Sequence, residues 1–234
     1  MPKFTQHVVV LSGAGISAES GLGTFRGSGG LWEGYKISEV ATPEGWHADF
    51  KKVLTFYNER RRRVALAAPN EAHLALAKLE EVFKVTVITQ NIDDLHQRAG
   101  SSNVLHLHGE IVKAKSSLPG SDYVASIGYD DIEPGQKAPD GTQLRPHVVW
   151  FGEAVPMMDA AIKVVKTANF FIVVGTSLEV YPAASLMDYV PAEAGRFLID
   201  PNPSLVADDS FSVYRVAASE GMPAICKHLR AMMA

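Results

Sequence analysis

Four short stretches of this sequence carry residue types and spacings that can do chemistry. Gly13-Ala14-Gly15-Ile16-Ser17-Ala18 fits a relaxed dinucleotide fingerprint, in which glycines let the backbone approach a pyrophosphate seated on a helix N-terminus. The acidic residue that usually ends the next strand is missing here, which disfavours ordinary dehydrogenase geometry and leaves a plain tight turn as the alternative. His106 and His108 are two apart and would share a strand face, so they read either as metal ligands or as a structural histidine beside a general base. No acidic cluster nearby completes a metal site, and an imidazole with an unperturbed pKa of about 6.5 suits a base at working pH. Asn91 and Asp93 are helix-capping types as well as candidate ligand contacts. Gly175-Thr176-Ser177 reads as a strand-to-helix turn suited to a phosphate or a ribose.

The elements that must position these residues are legible in the apolar pattern. Residues 8–11 form an apolar run that ends at the glycine turn, with a helix expected from about Ile16. Asn70 follows Pro69 as a cap, and Ala72, Leu76, Leu79 and Phe83 keep near-helical spacing, so a helix is expected over 70–83. A β-branched strand over 85–89 and a short helix over 93–99, closed by Gly100, come next. Residues 170–174 and 197–199 are further apolar strands ending in turn chemistry.

Apolar strands alternating with helices indicate an α/β fold, a Rossmann-like doubly wound parallel sheet covered on both faces. Ligands then gather at the carboxyl ends of the strands, where the polar turns lie. Two segments interrupt the pattern: a helical insertion with Trp32, Trp46, Phe50, Leu54 and Tyr57, and a loop-rich lobe with few apolar residues. One domain is expected, its large lobe from 1–27, 69–112 and 146–234 and its small lobe from 28–68 and 113–145.

Composition narrows the function classes. With 22 Lys plus Arg against 26 Asp plus Glu in 234 residues, nothing suggests a polyanion-binding face, so neither nucleic acid nor a membrane is an expected partner. The sole cysteine, Cys226, excludes an internal disulfide and a cysteine-based metal cluster within one chain. The polar start and the short apolar run after it do not make a signal core or a span, and the cytoplasm is the expected compartment.

Taken together and in order, 13–17, Gly23-Thr24-Phe25-Arg26-Gly27, Thr89-Gln90-Asn91-Ile92-Asp93, His108-Gly109-Glu110, the run 145–153 from Arg145 to Glu153, and Gly175-Thr176-Ser177 closely resemble the sirtuins, with short termini like those of bacterial members. The resemblance implies an enzyme that spends NAD to remove acyl groups from protein lysines, giving nicotinamide and 2'-O-acyl-ADP-ribose. It implies that Asn91 and Asp93 orient the ribose and carboxamide, that Phe25 and Arg26 close over the cofactor with Thr24 among its contacts, and that His108 is the base acting on a ribose hydroxyl. Gly13, Ala14, Gly15, Ser17, Trp32, Gln90, Ile92, Gly175, Thr176 and Ser177 would complete the cofactor site. Asp200, Pro201 and Asn202 would lie by the adenosine ribose and Ala218 by the adenine, although plain turn and core roles fit those four equally.

The strand-like 148–151 and the stretch 179–181 resemble the family's peptide clamp, which implies an acyl-lysine peptide extended between them and touching Val148, Phe151, Gly152, Glu179, Val180 and Tyr181, with ordinary core as the alternative for 148–151. Phe56-Tyr57-Asn58-Glu59-Arg60 resembles the Tyr-x-x-Arg pair of the desuccinylase branch. A spacing of three puts Tyr57 and Arg60 on one helix face, able to converge on an anion, so succinyl and malonyl groups are expected beside acetyl. Without the resemblance, 60–63 would read as a solvated basic run with Tyr57 packed beneath it.

The chain departs from the family in two places. Ser116 and 137–140 stand where most members place four zinc-binding cysteines, so no metal is expected, and the lobe must be held by packing, with Tyr123, Val124, Ile127, Tyr129 and Ile132 as candidates. Gly23 replaces the usual proline before Thr-Phe-Arg, which frees the cofactor loop. Two rival functions use the same NAD groups: ADP-ribosyl transfer to protein, and an NAD-sensing module without turnover.

Overall fold

The computed structural model describes residues 6–24, 31–32, 34–203 and 210–233. The elements run β1 (His7–Ser12), a 3-10 helix (Ala14–Ser20), β2 (Leu31–Trp32), β3 (Tyr35–Lys36), α1 (Ile37–Val40), α2 (Pro43–Leu66), α3 (Glu71–Leu79), β4 (Lys84–Thr89), α4 (Leu95–Arg98), β5 (Val104–His106), β6 (Gly109–Ser116), β7 (Val124–Ser126), β8 (Leu144–Val148), α5 (Met158–Val165), β9 (Phe170–Val174), a second 3-10 helix (Ala183–Tyr189), β10 (Gly195–Ile199), β11 (Ser212–Tyr214) and α6 (Ala218–Ala231). The main sheet is parallel, in the order β11-β10-β9-β1-β4-β5.

Strand β1 shows why the sheet is covered on both sides. Val8 and Val10 pack with Leu76, Met222 and Ile225 of α3 and α6, whereas Val9 and Leu11 pack with Ala161, Val165 and Leu186 on the other face. A strand buried on both faces has no polar alternation, hence its continuous apolar run. Topology reverses beside β1: the chain first moves outward through β4 and β5, then returns to pair β9 against β1. Loops leaving adjacent strands at such a reversal diverge and open a crevice at their carboxyl ends.

A third core joins the insertions. Trp46, Val53, Phe56 and Tyr57 of α2 pack with Ile111 and Ala114 of β6, Leu144 of β8 and Ile132. Strands β6, β7 and β8 form a separate antiparallel sheet, and β6 and β8 begin and end across the expected lobe boundaries at 113 and 145.

Several local expectations shift. The first helix is a 3-10 helix starting at Ala14, because Gly13 and Gly15 are tied to the neighbouring loop. The Asn70 cap forms, with its side-chain Oδ1 accepting from Ala72 N and His73 Nδ1 accepting from Asn70 N, but α3 ends at Leu79, and Phe83 enters the core from the turn beyond. The stretch 148–151 is strand only to Val148, where Phe151 N turns away to Ala41 O. Of the five residues expected to pack the small lobe, Ile132 is buried and Ile127 is partly so, while Tyr123, Val124 and Tyr129 are exposed.

Candidate active site

One cleft of about 700 Å³ runs along the carboxyl ends of β1, β4 and β9 and into the space beneath α2. Its floor is a close approach of two glycine loops. Gly13 N donates to Val174 O at 3.0 Å and Gly15 N to Gly175 O at 2.8 Å. A Cβ on Gly13 would lie 2.6 Å from Thr176 Cβ, and one on Gly15 would lie 2.6 Å from Gly175 Cα, so no larger residue fits either position. Gly175 also has φ +62°, in the left-handed region that glycine enters at little cost. This cradle leaves backbone at the surface of the cleft, which is the requirement for a pyrophosphate.

From β4 the chain turns into 90–93. Asn91 Nδ2 donates to Gly13 O and to Ser17 Oγ, both at 3.2 Å, and Ser17 Oγ donates to Asp93 Oδ2 at 3.1 Å. Asp93 also accepts from Leu95 N at 3.1 Å, so from the position before the N-cap Asp94 it satisfies the first N–H of α4 while facing the cleft; Asn91 takes no part in that contact. Burial pushes the Asp93 carboxyl above its ordinary pKa, against the bonds from Leu95 and Ser17 and the charge of Arg60.

His108 follows β5. Its Nδ1 lies 3.0 Å from Gln90 O, and a carbonyl only accepts, so Nδ1 carries the proton and Nε2 keeps a lone pair. Burial lowers the imidazole below its usual pKa, partly offset by the Gln90 bond. Half-buried in the cleft wall and neutral, it is disposed as a base. His106 instead turns Nδ1 to Asn91 O at 3.0 Å and Nε2 to Gln97 Nε2 at 2.6 Å, a supporting position outside the cleft. Among the described residues no group of three or more His, Cys, Asp or Glu is placed to hold a metal ion.

The far end is aromatic and cationic. Tyr57 is fully buried, and its hydroxyl accepts from Trp150 Nε1 at 3.1 Å. The Arg60 guanidinium sits 4.3 Å from the Trp32 ring centroid and is 6% exposed. The basic run is therefore not a solvated face: Arg61 is fully buried, donating to Ile111 O and Asn58 Oδ1, and only Arg62 and its neighbour Arg63 reach the surface.

The cleft gathers Gly13, Ala14, Gly15, Ser17, Thr24, Trp32, Tyr57, Arg60, Gln90, Asn91, Ile92, Asp93, His108, Val148, Phe151, Gly152, Gly175, Thr176, Ser177, Val180, Tyr181, Asp200, Pro201, Asn202 and Ala218 in one wall. Glu179 is exposed and does not line it. Phe25 and Arg26 lie outside the described residues. Sequence reasoning missed Leu22, Ile37, Ala41, Trp150 and Glu153 as lining residues. Trp150 sits inside a motif already singled out, but only the fold shows its indole turned toward Tyr57.

A doubly wound sheet with a glycine cradle at its topological reversal defines a nucleotide-binding α/β protein. Residues 13–182 match the model of the Sir2 family, and the chain belongs to that family. It is similar to an NAD-dependent protein deacylase of Bacteroides thetaiotaomicron, at 51% identity over 93% of this chain and 95% of the relative. It is also similar to one of Vibrio cholerae, at 43% identity over 98% and 95%. Among solved structures it resembles a Sir2 homologue in complex with NAD, with TM-score 0.87 and 40% identity over 97% of this chain and 91% of that one. It also resembles, less closely, Sir2 in complex with the inhibitor EX-527, 2'-O-acetyl-ADP-ribose and a deacetylated p53 peptide, with TM-score 0.77 and 30% identity over 95% and 94%.

Proposed function

We propose that the protein removes acyl groups from lysine side chains of proteins at the expense of NAD, and that it favours acyl groups with a distal carboxylate, succinyl and malonyl above acetyl. The observation that carries the reading is that one cleft joins two unlike ends. A glycine cradle with Asn91, Asp93 and His108 forms one end, and a buried guanidinium beside a buried phenol forms the other.

The cradle of Gly13, Gly15 and Gly175 fits a dinucleotide, with Asn91, Ser17 and Asp93 linked as one hydrogen-bonded group toward its ribose. NAD bound there supplies an ADP-ribosyl electrophile and nicotinamide as leaving group. His108 Nε2 accepts a proton from a ribose hydroxyl, while the Gln90 carbonyl fixes the ring's tautomer and stabilises the cation that forms. At the other end the Arg60 guanidinium and the Tyr57 hydroxyl offer donors to a carboxylate, and charge-assisted bonds in a desolvated site are the strong kind. The peptide lies extended past Val148 and Val180, with backbone groups giving affinity and little side-chain selectivity.

The test is mass spectrometry of acetyl, succinyl, malonyl and glutaryl peptides incubated with the protein and NAD. Loss of the acyl mass, fastest for succinyl, is expected. A gain of ADP-ribose on the peptide would assign protein ADP-ribosyl transfer, and unchanged peptides would assign an NAD sensor.

A further inference from the structure

We propose that Trp150 is a positioning residue for acyl selection, directing the Tyr57 hydroxyl proton toward the acyl carboxylate. The inference rests on the reading of Tyr57 and Arg60 as the carboxylate site.

The argument starts from what a phenol can do. A tyrosine hydroxyl has one proton to give and two lone pairs to receive, whereas an indole N–H only donates. The 3.1 Å bond between Trp150 Nε1 and Tyr57 Oη therefore has one polarity, with Trp150 giving and Tyr57 receiving. Among the described residues the Tyr57 hydroxyl makes this bond and no other, so its own proton is left for an acceptor in the cleft. Burial also raises the phenol's pKa, which keeps that proton in place.

The indole cannot easily turn away. Trp150 N donates to Glu153 Oε2 at 2.8 Å. The Arg145 guanidinium lies 3.5 Å from the indole ring centroid and is itself held by Glu153 through two bonds of 2.8 Å and by Val148 O. Trp46 packs at 5.6 Å on the ring. Backbone, face and neighbour thus fix the direction of Nε1–H, and a donor received on one side of a hydroxyl polarises the proton given on the other. A carboxylate, which only accepts, matches a Tyr57 poised to donate, and an acetyl group offers no acceptor at that depth.

The experiment compares kcat and KM on succinyl and acetyl peptides for the wild type, Trp150→Phe, Tyr57→Phe, the double variant and Arg60→Met. Trp150→Phe is expected to lower kcat/KM for succinyl about three- to tenfold more than for acetyl, chiefly through KM, the range of one neutral hydrogen bond. In the Tyr57→Phe background that extra loss should vanish, because the two residues act through one bond. If Trp150→Phe folds poorly, β-(3-benzothienyl)alanine at position 150 replaces only the N–H by sulfur and reads the same ratio. A succinyl to acetyl ratio equal to wild type, or an equal extra loss with Tyr57 absent, overturns the role of Trp150 while Arg60→Met still loses succinyl selectively. A wild type without succinyl preference, with Arg60→Met and Tyr57→Phe leaving the ratio alone, overturns both readings.

Discussion

At the nucleotide end of the cleft, loops from β1, β4 and β9 meet largely through backbone groups, Gly13 to Val174, Gly15 to Gly175 and the Asn91 side chain to Gly13 O. At the acyl end, Tyr57 from α2, Trp150 from beyond β8 and Trp32 from the first insertion meet through side chains alone. The first arrangement inherits its precision from the register of one sheet. The second depends on the packing of a separate core shared by α2 and the small antiparallel sheet. On the proposed function, the chemistry is tied to the sheet and acyl selection to the insertion, with the charge of Arg60 on Asp93 as a link between the two.

The comparison is broken most directly at His108. His108→Ala should lower kcat on every acyl group by on the order of a hundredfold or more, with NAD affinity by calorimetry retained, because a base acts on the transition state and little on ground-state binding. Near-normal turnover at saturating NAD would remove His108 from its role. The next effect belongs to the other end: Arg60→Met should lower kcat/KM for succinyl peptides by about ten- to a hundredfold and for acetyl peptides much less. Equal damage to both would mean that Arg60 serves the fold or the cofactor, and the separation of the two ends would fail.

The nucleotide end was largely legible because its signals are local. Gly13-Ala14-Gly15, the Asn70 cap and the apolar runs of β1 and β9 each follow from the geometry of a few neighbouring residues, and the parallel sheet follows from their alternation. At the other end, Tyr57 and Arg60 were singled out only through their resemblance to a family pair, because their spacing alone reads as a basic run over a packed tyrosine. Its hydrogen bond to Trp150 spans 93 residues, and no periodicity encodes which indole reaches which phenol. The small lobe was misread for the same reason. Apolar residues such as Tyr123 and Val124 were expected to hold it, yet they are exposed. Ile132 is buried as expected, and a polar contact joins that packing, with Ser116 reaching Asp140 across 24 residues and Thr142 bonding Asp140 from two residues away.

Acid sharpens the comparison further. Behind the glycine cradle, His96 Nε2 bonds Ser12 Oγ at 3.0 Å, and its ring meets that of His73 edge to face with centroids 4.9 Å apart; both rings are fully buried. Burial lowers His73 to about 4 and His96 well below its ordinary value, the latter with the charges of His73 and His106 adding. The folded chain thus binds fewer protons than the unfolded one below pH 6.5, and stability falls as pH drops from there toward 4. The Asp93 carboxyl, pushed up by burial, acts in the opposite direction. Between pH 7 and 5, His73 should contribute a loss of about 2 kcal/mol, at about 1.4 kcal/mol per unit below pH 6.5. Urea unfolding at both values should show His73→Gln with the flatter dependence. An identical slope in the variant would mean that the ring is protonated in the folded state.

The smallest effect tests whether a polar knot helps hold the small lobe. Ser116 Oγ, 1% exposed, donates to Asp140 Oδ2 at 2.6 Å and accepts from Leu118 N at 3.0 Å, while Thr142 Oγ1 donates to Asp140 Oδ1 at 2.6 Å. Bonds from Ser116 and Thr142 hold the Asp140 carboxyl down to about 2, so it stays ionised as the hub of this knot. The only cysteine lies in α6, its thiol raised to about 12 by burial, and has no part in the lobe. Ser116→Ala should therefore cost about 1 kcal/mol of stability, below the usual value of a bond to an ionised group because the Asp140 carboxylate is exposed and screened by water. Acyl selectivity should hold, because the knot lies in the small lobe and not in the cleft wall. Elemental analysis should find no stoichiometric zinc, and a chelator should leave turnover intact. About one zinc per chain, with Ser116→Ala neutral, would show that the lobe is held by metal. His106, His108 and His147 would then be the ligands to examine, and since His108 faces the cleft, such a metal would place the stability of the lobe and the chemistry of the nucleotide end in one site.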